Sequence, residues 1–245
     1  QTRKFFKKAK LVFYGPEEST IKMIDELKIN TSIPWRQIFD TEFWTQEKKE
    51  KKNCFLNIFN PSSQQWIEKF PNQRLKGNDI FFNGFKKFLD TGGKGKAFYV
   101  KRGQNLKDTE KLIKKLDLEE HTEMLEQLDS PYERKERMKK MDVVADQFGE
   151  DLYGLITLES LSMKIPVITE FSKEKGNMIF LENEKPPPIL NANTAEQISE
   201  KLHHLSNFKQ YNLISEESRN WIKEYHEPKK LVKWYWKHII ENVEK

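Results

Sequence analysis

The stretch from residue 142 to residue 171, DVVADQFGEDLYGLITLESLSMKIPVITEF, decides the fold of this chain. It opens with the apolar run Val143–Ala145 and closes with a second apolar run at residues 165–168. Between the runs lie a turn that contains Gly149 and Gly154 and then a segment of helix length. Apolar runs that are bounded by turn signals and joined by a helical pattern predict a β-α-β unit with parallel strands.

The loop at residues 146–153, between the first strand and the helix, is predicted to lie at a ligand-binding edge. In parallel α/β sheets, ligands bind where the carboxyl ends of strands meet the amino ends of helices. The loop glycines permit close backbone approach, and the free N–H groups of the helix suit a phosphate. Glu159 lies five residues after Gly154, near the same edge. Its carboxylate suits paired hydroxyls such as those of a ribose.

This stretch resembles the donor-binding signature of retaining glycosyltransferases with the GT-B fold and of the GT4 type (glycosyl transferases group 1). In that signature an acidic residue is followed at a fixed distance by a glutamate, a helix of small residues and Gly/Lys-Pro-Val-Ile. Here Asp151 and Glu159 are separated by the required seven residues, and SLSMKIPVI follows at residues 160–168. Asp151 replaces the usual first glutamate, and Ile165 stands where glycine is common. An ordinary Rossmann β-α-β unit with solvent-facing acids is the alternative.

The resemblance implies a role for each matching residue. Glu159 would hold the ribose hydroxyls, and Asp151 would hold the hydroxyls of the donor sugar. The backbone N–H groups of Gly154 and Leu155 would share the charge of the leaving diphosphate. This is electrostatic stabilisation of a leaving group.

A basic motif, KGND at residues 76–79, precedes the amphipathic segment 80–89, which predicts a helix with Asp79 as its N-cap. A lysine at the amino end of a helix opposes the helix dipole, which is easier to explain if an anion lies between them. In the resembling family, a lysine just before the first helix of the donor domain holds the diphosphate. The resemblance therefore assigns this role to Lys76, and an ordinary surface lysine is the alternative.

Further site candidates also follow from the resemblance. Arg74 and Arg102 are candidates for a second basic group, because the arginine that many family members carry after the first strand is missing. For Arg102 an exposed loop arginine is the alternative. In the family, the loop before the helix predicted at residues 131–140 lies beside the nucleotide base. The candidates for base contacts are Leu128, Asp129 and Tyr132.

The remaining patterns predict an α/β fold, namely a Rossmann-like parallel sheet of roughly five or six strands with helices on both faces and added carboxyl-terminal helices. Strands are expected at residues 9–14, 53–59, 96–101, 143–145, 165–168 and 177–181. Residues 121–128 suit a helix by propensity, but the order of elements in the resembling family implies a short strand there. Helices are expected at residues 17–28, 80–89, 105–118, 131–140, 194–205, 216–225 and 229–243, besides the helix of the opening stretch.

Four local expectations accompany this fold. Residues 29–44 are expected to be irregular, and the charge run at residues 48–52 is expected to be a solvated connector. Cys54 is expected to be a core residue within a buried strand. The charged face of the helix at residues 131–140 is expected to be solvated and to form only pairs within the helix.

Three parts are predicted along the chain. Residues 1–50 would be a remnant of an amino-terminal domain with its crossover linker, residues 51–206 the donor domain, and residues 207–245 helices that pack back on the body. For the last, basic and aromatic helix, a membrane surface is the alternative. The bulk of the acceptor domain is missing, so the chain is expected to be either a fragment or an unusually short family member.

Composition narrows the class of protein. The chain has 245 residues, of which 36% are hydrophobic and 33% charged, which fits a globular protein with a very polar surface. A net charge of +5 with interleaved signs gives little support to nucleic-acid binding. The single Cys54 excludes an internal disulfide and fits a reducing cytoplasm. With neither a membrane-span pattern nor a signal-peptide pattern, a cytoplasmic location is expected, with peripheral membrane contact as an addition.

Several chemistries lack their motifs in this sequence. Neither the glycine pattern of dinucleotide-binding enzymes nor a P-loop lysine motif is present, which argues against both classes. Cysteine and histidine do not cluster at zinc spacing, and there is no Asp-x-Asp motif of the kind that GT-A transferases use for a metal ion. The family works without a metal ion, so the resemblance implies neither a metal nor a cofactor.

The resemblance implies a hexosyltransferase. It would transfer a sugar from a nucleotide-diphosphate sugar to a hydroxyl of a sugar, lipid or protein acceptor, with retention. A nucleotide-sugar-binding module that is inactive without a separate acceptor domain or partner chain is the first alternative. A Rossmann interaction domain without a donor site is the second.

Overall fold

The chain alternates strands and helices along most of its length. A computed structural model describes residues 6, 8–15, 18–29, 31–47, 50–69, 73, 75–127, 130–149, 153–171 and 185–243. The described strands are β1 (Val12–Tyr14), β2 (Ser32–Pro34), β3 (Leu56–Asn60), β4 (Gly95–Val100), β5 (Thr122–Leu125), β6 (Val143–Ala145), β7 (Val167–Thr169) and β8 (Leu190–Asn191). The described helices are α1 (Glu18–Leu27), α2 (Asn78–Asp90), α3 (Leu106–Lys115), α4 (Pro131–Met138), α5 (Leu155–Ser162), α6 (Ala195–Ser206), α7 (Phe208–Tyr225) and α8 (Pro228–Val243).

Six strands form one sheet in the order β5-β4-β3-β6-β7-β8, and every pair is parallel. The chain builds β3, β4 and β5 outward on one side and then returns to place β6 on the other side of β3. The direction of winding therefore reverses between β3 and β6. Ligands bind in open α/β sheets at such a reversal, outside the carboxyl ends of the strands. The predicted Rossmann-like α/β fold is confirmed.

The central strands bury both of their faces, because successive side chains in a strand point to opposite sides. Ile58 and Val143 belong to one core cluster, in which the phenylalanines of α2 pack against α6. Phe59 and Val144 belong to a second cluster, which includes Leu158 of α5 and residues of α7. Helices thus cover both faces of the sheet, as the near-continuous apolar runs predict.

Residues 29–44 contain a strand, so the expectation of an irregular segment is wrong in part. Ser32 pairs with Val12, and β2 thereby forms a short two-stranded parallel sheet with β1. The side chains of Phe39 and Trp44 in the following segment are buried. The sequence does not predict this strand, because a single β-branched residue, Ile33, between Ser32 and Pro34 is too short a pattern.

Cys54 is exposed, and the prediction of a core cysteine is wrong. The strand begins at Leu56, three residues later than predicted. Asn53 accepts a hydrogen bond from the amide of Phe55 at 3.2 Å, which turns the chain before the strand starts.

The described part of the charge run 48–52 is not simply solvated, because Lys51 is buried. Its Nζ lies 3.1 Å from Oδ1 of Asp142, and both side chains are 6% exposed. The same Nζ donates to the carbonyl oxygen of Phe55 at 2.5 Å. Lys51 therefore neutralises a carboxylate at the start of β6, which corrects the expectation for this residue.

The ends of the helices differ modestly from the predictions. Helix α2 begins at Asn78 with Gly77 as N-cap, so Asp79 lies in the first turn and is not the cap. Thr194 caps α6 and accepts a hydrogen bond from the amide of Gln197. Helix α7 is longer than residues 216–225, because it already begins at Phe208. The strand predicted at residues 177–181 lies outside the described residues, and the domain boundaries stay predictions.

The closing helix α8 packs against the β1–β2 region. Leu231 is buried, the Trp234 ring lies 6.4 Å from the Phe13 ring, and the Tyr235 hydroxyl contacts the backbone of Arg36. Across the described ranges, no helix combines the length and the apolar character that crossing a membrane requires.

Candidate ligand-binding cleft

A cleft of about 480 Å³ opens at the carboxyl ends of β3, β4 and β6 and at the amino end of α5. This is the edge that the loop prediction indicates, at the reversal of the strand order. The described polar side chains that line the cleft come from seven separate segments. They are Ser62, Ser63, Lys76, Arg102, Gln127, Arg134, Arg137, Asp146, Gln147 and Glu159.

Two buried asparagines, Asn60 and Asn78, connect segments that adjoin the cleft. Asn60, at the end of β3, donates to the carbonyl oxygen of Ala145 at 2.8 Å and accepts from Nδ2 of Asn78 at 3.0 Å. Asn78, at the start of α2, also accepts from the amide of Gln65 at 3.0 Å. Both asparagines are fully buried, so each amide needs these partners. The network joins β3, β6 and α2.

Lys76 is held beside the loop that follows β6. Its Nζ donates to Oε1 of Gln147 at 2.6 Å, and its carbonyl oxygen accepts from the amide of Phe148 at 2.9 Å. Gly77 has a φ of +60°, and a Cβ there would lie 2.8 Å from the carbonyl carbon of Phe148. A glycine is therefore required for the two loops to approach this closely.

Asp146 directly follows β6, and its buried side chain lines the cleft. The Ser62 hydroxyl lies 2.8 Å from both Oδ1 and the carbonyl oxygen of Asp146. Asp146 is absent from the predicted site residues. Its position directly after a buried strand is the signal that indicates a site residue, since strand carboxyl ends carry the cleft.

Glu159 lies in the second turn of α5 and is 5% exposed. Both of its carboxylate oxygens accept hydrogen bonds from Arg134, with Nε–Oε2 at 2.8 Å and Nη2–Oε1 at 2.7 Å. Burial raises the pKa of the Glu159 carboxyl, and the hydrogen bonds and charge of Arg134 oppose this, while Asp146 raises it further. The carboxylate is therefore part of a charged pair on the cleft.

The Arg134 contact corrects the expectation that the charged face of α4 is only solvated. Arg134 lies on the inner side of the helix, one turn before the fully buried Met138. Its guanidinium carbon also lies 5.3 Å from the centre of the Trp44 ring. The sequence does contain the signal, because Met138 marks the inner face of a charged helix and Arg134 is four residues away.

The structure brings together most of the predicted site residues that it describes. Lys76, Arg102, Gly154, Leu155 and Glu159 all line the cleft, and their individual roles stay predictions. Tyr132 does not belong to this lining within the described ranges. It is 71% exposed, and its ring packs edge-on against Phe43 at 5.0 Å. The site candidates Arg74, Leu128, Asp129 and Asp151 lie outside the described residues.

The cleft carries an excess of positive charge. Among its described lining residues, four basic side chains face two carboxylates, Asp146 and Glu159. Gly154 is the N-cap of α5, and the N–H groups of Leu155 and Ile156 in the first turn have no partner within the helix, whereas the amide of Thr157 donates to the carbonyl oxygen of Gly154 at 3.1 Å. This combination suits an anion next to a group that offers hydroxyls. In the described part of the chain, His, Cys, Asp and Glu side chains form no group of three or more that could hold a metal ion.

No protein-family model matches this sequence, and no curated protein sequence is significantly similar to it. Solved structures do match. Staphylococcus aureus TarM superposes with a TM-score of 0.70 at 13% identity, over 96% of this chain and 45% of TarM. A glycosyltransferase from Rickettsia africae superposes with a TM-score of 0.71 at 13% identity, over 98% of this chain and 66% of its own.

The fold is that of the Rossmann-like domain of GT-B glycosyltransferases. Anabaena HepE, solved with UDP and glucose, matches with a TM-score of 0.67 at 12% identity, over 93% of this chain and 63% of HepE. The chain therefore spans between 45% and 66% of the length of these three proteins. The carboxyl-terminal domain of a group 1 family glycosyl transferase from Francisella tularensis matches over 98% of its length with a TM-score of 0.55 at 16% identity.

Proposed function

We propose that this chain is the donor-binding part of a glycosyltransferase. It would bind a nucleotide-diphosphate sugar in the cleft and transfer the sugar to an acceptor hydroxyl. The observation that carries this proposal is the meeting of a buried carboxylate, Glu159, with basic side chains and a free helix amino end at the reversal of the strand order. A nucleotide diphosphate needs both an anion site and an acceptor for its ribose hydroxyls.

The basic part of the cleft accounts for the diphosphate. Lys76 and Arg102 approach from the loops after β3 and β4, and the first N–H groups of α5 point into the same space. As the bond to the sugar breaks, negative charge grows on the diphosphate. Fixed positive groups stabilise that charge more in the transition state than in the bound donor, which accelerates the reaction.

Uridine diphosphate is the first donor nucleotide to test. TarM was solved with UDP, and HepE with UDP and with UDP-glucose. These ligands belong to those proteins, and the shared fold supports the choice without fixing the base. The structure leaves the base-side candidates Leu128 and Asp129 outside the described residues, so GDP and ADP belong in the same experiment.

The finer features of the proposal follow from the signature at residues 151–168. They are retention of the anomeric configuration, a hexose as the transferred sugar, membership of the GT4 type, and independence of metal ions and cofactors. A transfer assay with and without EDTA, with the product anomer read by NMR, tests them. The proposed acceptor is a sugar, lipid or protein hydroxyl, and the proposed location is cytoplasmic with peripheral membrane contact.

The alternative is a nucleotide-sugar-binding module that is inactive without a separate acceptor domain or partner chain. The observation in its favour is the length of the chain, which spans 45% of TarM and 63% of HepE. This module would bind the donor but would transfer no sugar until the acceptor part is added. Donor hydrolysis and transfer assays on the isolated chain separate it from the main proposal.

The deciding experiment is calorimetric titration of the chain with UDP, GDP and ADP. We expect one nucleotide to bind in the micromolar range and Glu159→Ala to weaken it at least about tenfold, because the ribose loses its charged acceptor. Glu136→Ala is the control, since Glu136 is an exposed carboxylate of α4 that pairs with Lys139. Wild-type affinity in Glu159→Ala, or no binding of any nucleotide, would contradict the proposal.

A further inference from the structure

The carboxylate of Glu159 uses only part of its capacity to accept hydrogen bonds. Each oxygen accepts one N–H group of Arg134, in a fork that contacts the carboxylate from the side of α4. An ionised carboxylate has about four lone-pair sites, so about one remains on each oxygen. Glu159 also lines the cleft. Two neighbouring hydroxyls of one ligand can therefore bind while the Arg134 pair stays intact.

Arg134 is itself held from a second direction. Its guanidinium lies 5.3 Å from the centre of the Trp44 ring, and Trp44 is 6% exposed. The carbonyl oxygen of Trp44 accepts from the hydroxyl of Ser162 at 2.6 Å and from Nη1 of Arg219 at 3.3 Å. A guanidinium that stacks on a fixed ring has little freedom, so the fork that it presents to Glu159 is pre-organised.

We propose that Arg134 is a positioning residue that orients Glu159 and keeps it ionised, so that the carboxylate accepts both vicinal hydroxyls of a ribose. This inference rests on the proposed function, because it assumes that a nucleotide occupies the cleft. In this role Arg134 acts through Glu159. It therefore differs from Lys76 and Arg102, which face the diphosphate in the proposal.

The ionisation part of this role follows from the burial of the pair. Burial favours the neutral acid and raises the pKa of Glu159, and the cation of Arg134 counteracts this. Asp146 works in the same direction as burial. Without Arg134, the carboxyl would take up a proton at a higher pH and would lose acceptor capacity. Among the residues that the structure describes, the other charged groups lining the cleft are Lys76, Arg102, Arg137 and Asp146.

The test compares UDP with 2′-deoxy-UDP, since their affinity ratio reports the ribose contact and cancels the titration of the phosphates. In the wild type we expect UDP to bind at least about tenfold more tightly at both pH 8.5 and pH 6.0. In Arg134→Gln we expect this preference to shrink at pH 8.5 and to vanish at pH 6.0. A purely structural loss would weaken both nucleotides equally at both pH values.

Arg137→Gln is the matched control. Arg137 lines the cleft on the same helix, but its Nη1 donates to the carbonyl oxygen of Glu126, 2.7 Å away. This variant removes the same charge, and we expect it to keep the wild-type affinity ratio at both pH values. In a Glu159→Gln background, Arg134→Gln should change the ratio no further, because the two residues act as one unit.

Titration of the Glu159 carboxyl by carbon NMR provides a readout without nucleotide. We expect its pKa to be higher in Arg134→Gln than in the wild type and unchanged in Arg137→Gln. An unchanged Glu159 pKa, or a persistent ribose preference at pH 6.0 in Arg134→Gln, overturns the inference and leaves the proposed function standing. A wild type that binds no nucleotide overturns the proposed function, while the NMR titration still decides whether Arg134 sets the ionisation of Glu159.

Discussion

His226 is a buried histidine that joins the end of α7 to the segment before Trp44. Its Nδ1 donates to the carbonyl oxygen of Gln37 at 2.8 Å, and its own carbonyl oxygen accepts from the amide of Phe39 at 3.1 Å. The pKa of His226 is lowered to about 4, mainly by burial; the hydrogen bond to Gln37 opposes this shift, and the nearby charge of Arg36 adds to it. The ring is therefore neutral in the folded protein at neutral pH.

This pKa predicts a pH-dependent stability. An unfolded histidine titrates near about 6.5, so below that pH the unfolded state binds more protons than the folded state. The stability that the neutral His226 ring contributes is fully present above about pH 6.5 and is lost as the pH falls towards about 4. Between pH 6.5 and pH 5 the wild type should lose on the order of 1–2 kcal/mol of unfolding free energy that His226→Gln does not lose. Urea denaturation at both pH values measures this.

The exposed His121 provides the control for that experiment. His121→Gln should retain the wild-type loss between the two pH values, because His121 is exposed and takes no part in the buried contacts of His226. Equal pH slopes for His226→Gln and the wild type would show that the His226 ring does not set this dependence.

The buried pair of Lys51 and Asp142 makes a second prediction at the residue scale. Lys51→Met leaves Asp142 without its cation at a site where both side chains are 6% exposed. Loss of one partner of a buried pair costs about 3–5 kcal/mol. Chemical denaturation should therefore show a large loss for Lys51→Met. The adjacent and exposed Lys52→Met should change stability by less than about 0.5 kcal/mol, and similar values for both variants would refute the role of the pair.

The elements show how much of this fold can be predicted from sequence. The β-α-β unit at residues 142–171 was predictable because β6 and β7 are short, fully buried apolar runs with turn residues between them. Burial of Lys51 and exposure of Cys54 were not predictable, because both depend on where β3 starts relative to Asp142. Helix propensity and hydrophobic periodicity describe one segment at a time, whereas the contact of Lys51 with Asp142 joins segments that are distant in the chain.

The backbone and the side-chain contacts of the site differ in how far the sequence predicts them. Lys76 and Glu159 could be assigned to one edge because strand ends and helix starts fix that edge. The pairing of Arg134 with Glu159 depends on how α4 is rotated about its axis, and only Met138 in the sequence indicates that rotation. For a site built from several loops, the sequence thus predicts which backbone segments meet at the site, but not which of their side chains pair with each other.

The junction of the two loops around Gly77 makes a prediction at the element scale. A Cβ at residue 77 would lie 2.8 Å from the backbone of Phe148, at a φ of +60°. Gly77→Ala should therefore push Lys76 away from Gln147, lower the unfolding free energy by about 2 kcal/mol and weaken UDP binding at least about tenfold. Denaturation and calorimetry on the same samples measure both effects.

Gly92→Ala separates backbone strain from the collision at the loop junction. Gly92 has a φ of +90°, but no heavy atom lies within 4 Å of a Cβ built there. This variant should lose about 1 kcal/mol of stability from the strain alone and should bind UDP like the wild type. Wild-type UDP affinity in Gly77→Ala would show that close contact of the two loops does not position Lys76.

At the scale of the whole molecule, α8 packs against the β1–β2 region, although these segments are about 200 residues apart in the sequence. Phe13 of β1 packs edge-on against Tyr235 at 4.8 Å, and the guanidinium of Arg36 lies 4.8 Å from the centre of the Trp234 ring. The opposite side of α8 exposes Val232 and Trp236, the latter by 62%. The inner face of the helix thus stabilises the β1–β2 region, and the outer face is the surface on which the proposed membrane contact depends.

The hydroxyl of Tyr235 makes this packing testable. It accepts from the amide of Arg36 and donates to the carbonyl oxygen of the same residue, both at 2.6 Å. Tyr235→Phe keeps the ring but leaves both backbone groups without this partner, which should cost about 1–2 kcal/mol. Because the bonds join α8 to the β1–β2 region, amide exchange at Arg36 should accelerate by more than about tenfold, while amides of β3 and β6 stay protected. Trp236→Phe, on the exposed side, should leave exchange at Arg36 unchanged. Equal acceleration across β3, β6 and Arg36 would instead mean that α8 and the six-stranded sheet unfold as one cooperative unit.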